Sequence, residues 1–253
     1  MKIILSPAKK MKVDPDTLGY SDLPVFMDQT QEILDWLRSK DLEFLQNLWK
    51  CNDQIALQNY ERILKMDLNR QLTPAILSYE GIAYQYMAPA VFEEGQYDYL
   101  QSHLRILSAF YGILKPMDGV TPYRLEMQAK AAIRDFKNLY DFWGQQLYNE
   151  IHDASGIIIN LASKEYSKCI EKYLMPDDRL ITCHFVEQSK NGKLAVKATY
   201  AKMARGEMVR FMAERKLEDP EALKAFNALD YVFRADLSDD LNYYFERKPQ
   251  SID

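Results

Sequence analysis

The sequence predicts an α+β domain, and three features carry that reading. Short apolar or β-branched runs at residues 2–5 and 156–161 have the length of strands rather than helices. Apolar residues recur at helical spacing through most of the first third. Two strand-like runs between residues 179 and 200 are joined by Asn191-Gly192, a strong hairpin signal. A chain of 253 residues forms either one large domain or two closely packed lobes.

Lys2 to Leu5 reads as a strand that stops at Ser6-Pro7, because proline removes a donor and biases the residue before it to an extended conformation. The strand therefore delivers a loop. Over residues 28–50, Ile33, Leu34, Leu37, Leu42, Leu45, Leu48 and Trp49 keep helical spacing, and residues 55–64 continue it. Pro74 opens another helix-like stretch, and Tyr79-Glu80-Gly81 reads as a turn or C-cap with Gly81 at positive φ. Residues 97–114 read as a strong amphipathic helix, stopped by Lys115-Pro116 and a turn at Met117-Asp118-Gly119. A second helix is expected to begin near Pro122. Ile157-Ile158-Ile159 suits a strand buried on both faces, followed by a short helix over residues 164–173. Strands at 179–186 and 194–200 flank the turn Ser189-Lys190-Asn191-Gly192, and a helix is expected over 201–216. The last strands, 231–235 and 242–246, flank the acidic turn 236–240.

Composition narrows the function classes. With 47% hydrophobic and 27% charged residues the chain is too apolar for disorder. The cysteines, Cys51, Cys169 and Cys183, form no C-x-x-C pair and read as free thiols of a reducing compartment. The apolar run before Ser6 is too short for a signal segment, no later run is long enough to cross a membrane, and the expected location is the cytoplasm. A net charge of −5 opposes whole-surface attraction to nucleic acid, so any such contact needs a local basic patch. Dinucleotide, P-loop and zinc-protease signatures are absent, and so is the G-x-S-x-G elbow. His103, His152 and His184 lack ligand spacing, so neither a metal nor a cofactor is expected.

Cations cluster at three places. Lys9, Lys10 and Lys12 follow the first strand, where binding residues are commonly presented, although a solvated basic loop has the same residues. Lys202 and Arg205 share a helix face, with Lys197 just before it; an ordinary charged face is the competing account. The hairpin from Lys115 to Thr121, between two expected helices, would offer backbone N–H groups near Gly119 and at the start of the second helix to a phosphate. Tyr123, Arg124 and Glu126, together with Ser6, Lys9 and Lys164, form a candidate pocket for a phosphate or an unstacked base. A structural Arg-Glu pair would explain part of the same pattern.

Five segments in order, SPAKK at 6–10, LSAFYGILKPMDGVTPYRLEM at 107–127, INLASKEY at 159–166, YAKMARGEMVRF at 200–211 and FRADLSDD from Phe233, resemble the YaaA family of bacterial peroxide-stress proteins. The resemblance implies a mixed β-sheet surrounded by helices in an unusual topology, with a helix-hairpin-helix element and a positively charged cleft that binds DNA. It also implies survival of hydrogen peroxide by limiting free iron and oxidative DNA damage. Lys10 and Lys164 stand where the family pattern has threonine and asparagine, Ala109-Phe110 replace glycine and leucine, and YEGIAY at 79–84 lacks the family's second acid.

The leading expectation is a DNA-binding protein of the peroxide-stress response, holding duplex DNA without sequence specificity. Its contacts would be Lys9, Lys10, Lys115, Gly119, Arg124, Lys164, Lys197, Lys202 and Arg205. The alternative is an enzyme acting on a nucleobase, nucleotide or related small molecule in the Lys/Arg/Glu pocket. Direct iron handling is a third reading; the scattered His and Cys residues offer it no ligand set, and carboxylate sites are left open by spacing.

Overall fold

The computed structural model describes residues 1–189 and 192–248. The chain opens with strand β1 (Lys2–Leu5) and the two-residue β2 (Lys10–Met11), then runs through helices α1 (Met27–Arg38), α2 (Leu42–Trp49) and α3 (Asp53–Lys65). Asp41 and Asn52 accept backbone N–H groups as N-caps of α2 and α3, which is why the long apolar periodicity is cut there. Next come β3 (Thr73–Pro74), α4 (Ala75–Ser78), β4 (Tyr79–Glu80), α5 (Ile82–Met87) and α6 (Glu94–His103). Strands β5 (Leu104–Ser108), β6 (Gly112–Leu114) and β7 (Gly119–Val120) precede α7 (Leu139–Trp143) and α8 (Gln146–Ile151). The remainder is β8 (Ile157–Leu161), α9 (Lys164–Glu171), β9 (Arg179–Gln188), β10 (Leu194–Ala195), α10 (Ala198–Arg215), β11 (Tyr231–Phe233) and β12 (Asn242–Arg247).

An eight-stranded mixed sheet surrounded by helices forms the centre, in the order β11-β12-β9-β8-β1-β5-β6, with β10 against the end of β9. The pairs β12–β9, β9–β8, β8–β1 and β1–β5 are all parallel, whereas β11 and β6 pair antiparallel at the edges. The chain therefore winds one way from β1 to β5 and the other way through β8, β9 and β12. Ile3, Ile4 and Leu5 of β1 are buried, as are Ile158 to Leu161 of β8, because parallel strands covered on both faces exclude water throughout. Toward β11 the sheet is sealed by rings: Phe185 lies 5.4 Å from Tyr231, and Phe226 lies 5.6 Å from Phe211 of α10. Among the described residues no helix is long and apolar enough to cross a membrane.

The stretch from 97 to 114 departs from the single helix that periodicity predicts. Helix α6 stops at His103, and Leu104 to Ser108 enter the sheet beside β1 with every residue buried. In β5 even Arg105 and Ser108 are buried, so the alternation that would mark a half-buried strand is missing and spacing does not separate it from a helix. Gly112, at φ +74°, turns the chain into β6 where a Cβ would meet the Trp143 ring at 2.7 Å. Residues 121–126 form no helix, so this segment is the β5–β6 hairpin followed by the short β7 and irregular chain, and not the helix-hairpin-helix expected. Gly81 is likewise corrected: its φ of −162° is extended, Tyr79–Glu80 is strand β4 paired with β2, and α5 begins after the glycine. Of the 194–200 strand only Leu194–Ala195 forms, because α10 starts at Ala198. Lys190 and Asn191 of the expected turn lie outside the described residues.

Helix α10 has buried residues around most of its circumference, including Ala201, Ala204, Gly206, Met208 and Val209, as a helix inside a protein must. It crosses α5 so closely that a Cβ on Gly206 would lie 1.9 Å from the Ala83 carbonyl oxygen. Gly206→Ala should therefore destabilise the fold by about 1–3 kcal/mol through overpacking. An open helical site would instead gain about 1 kcal/mol from alanine. A lower urea midpoint than wild type, with an unchanged slope, is the expected result.

Candidate anion-binding cavity

The point where the winding reverses lies between β1 and β8, and in open parallel sheets ligands bind in the crevice beyond the strand ends there. A cavity of about 400 Å³ occupies that position, lined by the loop after β1, the exit of β8, the start of α5, residues 123–126 and α10. Its floor is stapled. The Ser6 hydroxyl donates to Ser163 Oγ at 3.1 Å and accepts the Ser163 N–H at 2.8 Å, while the Tyr84 hydroxyl donates to the Ser6 carbonyl at 3.0 Å. Among the described residues no histidine or carboxylate hydrogen-bonds Ser6, so it has no base to activate it as a nucleophile.

The walls are built from tyrosines. Tyr123 hydroxyl lies 2.8 Å from that of Tyr79 and 2.7 Å from Ser108 Oγ, which also accepts the N–H groups of Phe110 and Tyr111. Burial pushes the Tyr123 phenol up to about 12, so it remains a neutral, hydrogen-bonded wall. Its ring stacks on Phe110 at 4.9 Å, and this rigid packing fixes the backbone that carries Arg124. Tyr84 and Tyr166 complete the apolar lining with Ile82, Leu125 and Leu161.

Charge is unevenly partnered. Five cations, Lys9, Lys10, Arg124, Lys202 and Arg205, face three carboxylates, Glu80, Glu126 and Glu165. Lys9 pairs with Glu126 at 2.7 Å, and Lys10 pairs with Glu80 at 2.9 Å through the β2–β4 pairing that sets them opposite. Arg124 and Arg205 have no hydrogen-bond or ion-pair partner among the described residues, and the Nε of each is buried. Burial disfavours the Arg205 charge, and desolvation likewise raises the Glu165 carboxyl above the usual range, although the Gln128 N–H donates to it at 3.2 Å. An anion entering this cavity would meet donors that nothing else occupies.

Of the residues singled out from sequence, Ser6, Lys9, Lys10, Tyr123, Arg124, Glu126, Lys202 and Arg205 all line the cavity. Lys164 begins α9 but pairs with Glu171 and faces outward, and Lys197 pairs with Glu187 beyond the cavity. Gly119 is buried in β7 and its N–H donates to the Asp22 carbonyl at 2.8 Å, so no phosphate reaches it. Lys115 lines a second cavity with Asp22, Arg105, Asp118 and Glu150. Glu80, Tyr84, Ser163, Glu165 and Tyr166 escaped notice, although the last three follow a strand end, a position that marks sites in parallel sheets.

Residues 1–237 match the family described as peroxide stress protein YaaA. The chain belongs to the YaaA family. A relative from Agathobacter rectalis is 65% identical over 248 residues, covering 98% of this chain and 99% of its own. One from Lachnoclostridium phytofermentans is 54% identical over 252 residues, covering 100% and 98%. Both are described as UPF0246 protein. Every cavity residue lies inside the span that matches the YaaA family.

The remaining reactive groups of this YaaA-family chain have structural ties. His103 meets the Met1 carbonyl, His152 the Tyr148 hydroxyl and His184 the Asn242 side chain. Among the described residues no three His, Cys, Asp or Glu side chains gather as a metal-holding group. Burial pushes both the Cys169 and the Cys183 thiol up to about 12, whereas Cys51 is only half-buried. A colorimetric disulfide reagent should titrate Cys51 in the native protein and reach Cys169 and Cys183 only after unfolding.

In the second cavity, burial raises the Asp118 carboxyl from 3.8 to about 7, even though the Lys115 N–H donates to it at 2.8 Å. The folded state holds a proton that the unfolded state releases, so this group favours folding most below pH 3.8 and loses that advantage as pH rises to about 7. Asp118→Asn keeps an acceptor and removes the charge. Its Tm should exceed wild type by at least about 4 °C at pH 8, with the difference shrinking as pH falls toward 4.

Proposed function

We propose that this protein acts in the peroxide-stress response for which its family is named, by holding duplex DNA across the mouth of the cavity through backbone and shape rather than base sequence. What carries the reading is the convergence of Lys9, Lys10, Arg124, Lys202 and Arg205 on one cleft of a chain whose net charge is −5. The side chains of Lys9 and Lys10 are 66% and 78% exposed at the rim. Lys202 is exposed and has no ion-pair partner among the described residues. Cations so placed are suited to successive phosphates, with Arg124 and Arg205 behind them adding to the field.

Neutralising phosphates releases the cations condensed on DNA. Ferrous iron held at the backbone would be among them, which links occupancy of the cleft to less iron-dependent damage. Lys115, Gly119, Lys164 and Lys197 have no part in this interface, because each is buried, ion-paired elsewhere or in another cavity.

Fluorescence anisotropy with a labelled duplex over a salt series tests the reading. Affinity should fall steeply with salt, and Lys202→Glu combined with Lys10→Glu should weaken binding about tenfold or more and lower the salt slope by roughly 2. A folded double variant that binds like wild type would sink the placement, and a wild-type protein that fails to bind at low salt would sink the function.

A further inference from the structure

We propose that the cavity itself is a receptor for one mononucleotide unit, with its phosphate held by Arg124 and Arg205 and its base laid against the tyrosine wall. The inference rests on the anionic reading of the cleft and names what enters it, whereas the duplex contacts proposed above involve only the rim.

Size argues first. A cavity of about 400 Å³ falls within the roughly 300–1,000 Å³ range of small-ligand pockets. A duplex, whose major groove alone is about 12 Å wide, cannot enter a space of that volume. Charge argues second. Lys9 and Lys10 are already matched by Glu126 and Glu80, which leaves Arg124, Arg205 and Lys202 against the single carboxyl of Glu165. The excess suits a phosphate monoester dianion. Guanidinium groups present planar pairs of N–H donors that match phosphate oxygens bidentately, and here Arg124 and Arg205 have no partner among the described residues.

The rest of the lining argues for a base. Tyr84, Tyr123 and Tyr166 are buried, and with Ile82, Leu125 and Leu161 they present an apolar surface that inorganic phosphate or a bare sugar phosphate would leave unused. Flat aromatic walls accept any base by stacking. Glu126 and Glu165 stand at the same cavity and can take hydrogen bonds from exocyclic amino groups. Such a unit has two sources: a free nucleoside monophosphate, or a nucleotide extruded from a strand whose backbone lies on the rim lysines.

Calorimetry of the full chain with AMP, GMP, CMP and dTMP, using nucleosides and inorganic phosphate as controls, tests the site directly. A mononucleotide should bind at least about tenfold more tightly than either control, since each control lacks one half of the recognised unit. Arg124→Gln and Arg205→Gln should each weaken this about tenfold or more, with thermal melts verifying that both remain folded. The wild-type comparison stands alone if a variant fails to fold.

A second arm compares a matched duplex with one carrying a single unpaired nucleotide, by anisotropy at one salt concentration. Preference for the unpaired substrate, lost in Arg205→Gln and competed by mononucleotide, assigns the strand as source. Mononucleotide binding with no such preference assigns the free nucleotide. Absence of both overturns the proposal, even if salt-steep duplex binding persists; mononucleotide binding without any duplex binding would instead leave the cavity standing and remove the rim reading.

Discussion

The reversal of winding beside β1 is the constraint on which the rest of the structure depends. Because β1 pairs in parallel with both β5 and β8, its carboxyl end lies where the chain runs on into α9 on one side and turns back through β6 on the other, and the crevice opens beyond the ends of β1 and β8. The crevice persists because its floor is pinned by the reciprocal Ser6–Ser163 hydrogen bonds and braced by Tyr84. A polar staple between two buried strand ends satisfies groups that would otherwise be costly to bury, and it holds the crevice open at fixed width.

The second wall depends on a glycine. Helix α10 reaches the cavity only because Gly206 lets its backbone meet Ala83 of α5 without an intervening side chain. That close approach carries Arg205 inward and leaves Lys202 at the surface. The pair of orphan Nε atoms that results is unfavourable for the empty protein, since buried donors without partners lose their hydration. Residues that oppose stability in this way concentrate where a protein has something to bind.

Charge is distributed accordingly. Outside the cavity Lys164 and Lys197 each have a carboxylate partner, and Lys115 sits against Asp118, whose backbone and side chain close the turn after β6. A chain that is acidic overall thus keeps in one crevice Arg124 and Arg205, the arginines without hydrogen-bond or ion-pair partners among the described residues. A small local excess, sheltered from bulk water, acts more strongly on an incoming anion than a diffuse surface charge would.

The sequence by itself determined the class of fold, the first strand and its loop, the Ile157-to-Leu161 strand with its following helix, and the last strand pair, because Ser-Pro, β-branched runs and acidic turns act locally. It also named most of the charged groups at the cavity, Lys9, Lys10, Arg124, Glu126, Lys202 and Arg205, together with Ser6 and Tyr123, but not Glu80, Glu165 or most of the apolar lining. Residues 97–114 misled, since a run buried on both faces has no period by which strand and helix differ, and only pairing beside β1 decides. Which cations converge was likewise decided by tertiary structure. Lys164 and Arg205 look alike in sequence, but one lies near its own carboxylate on α9 and the other is carried into the crevice by a helix crossing that no local pattern encodes.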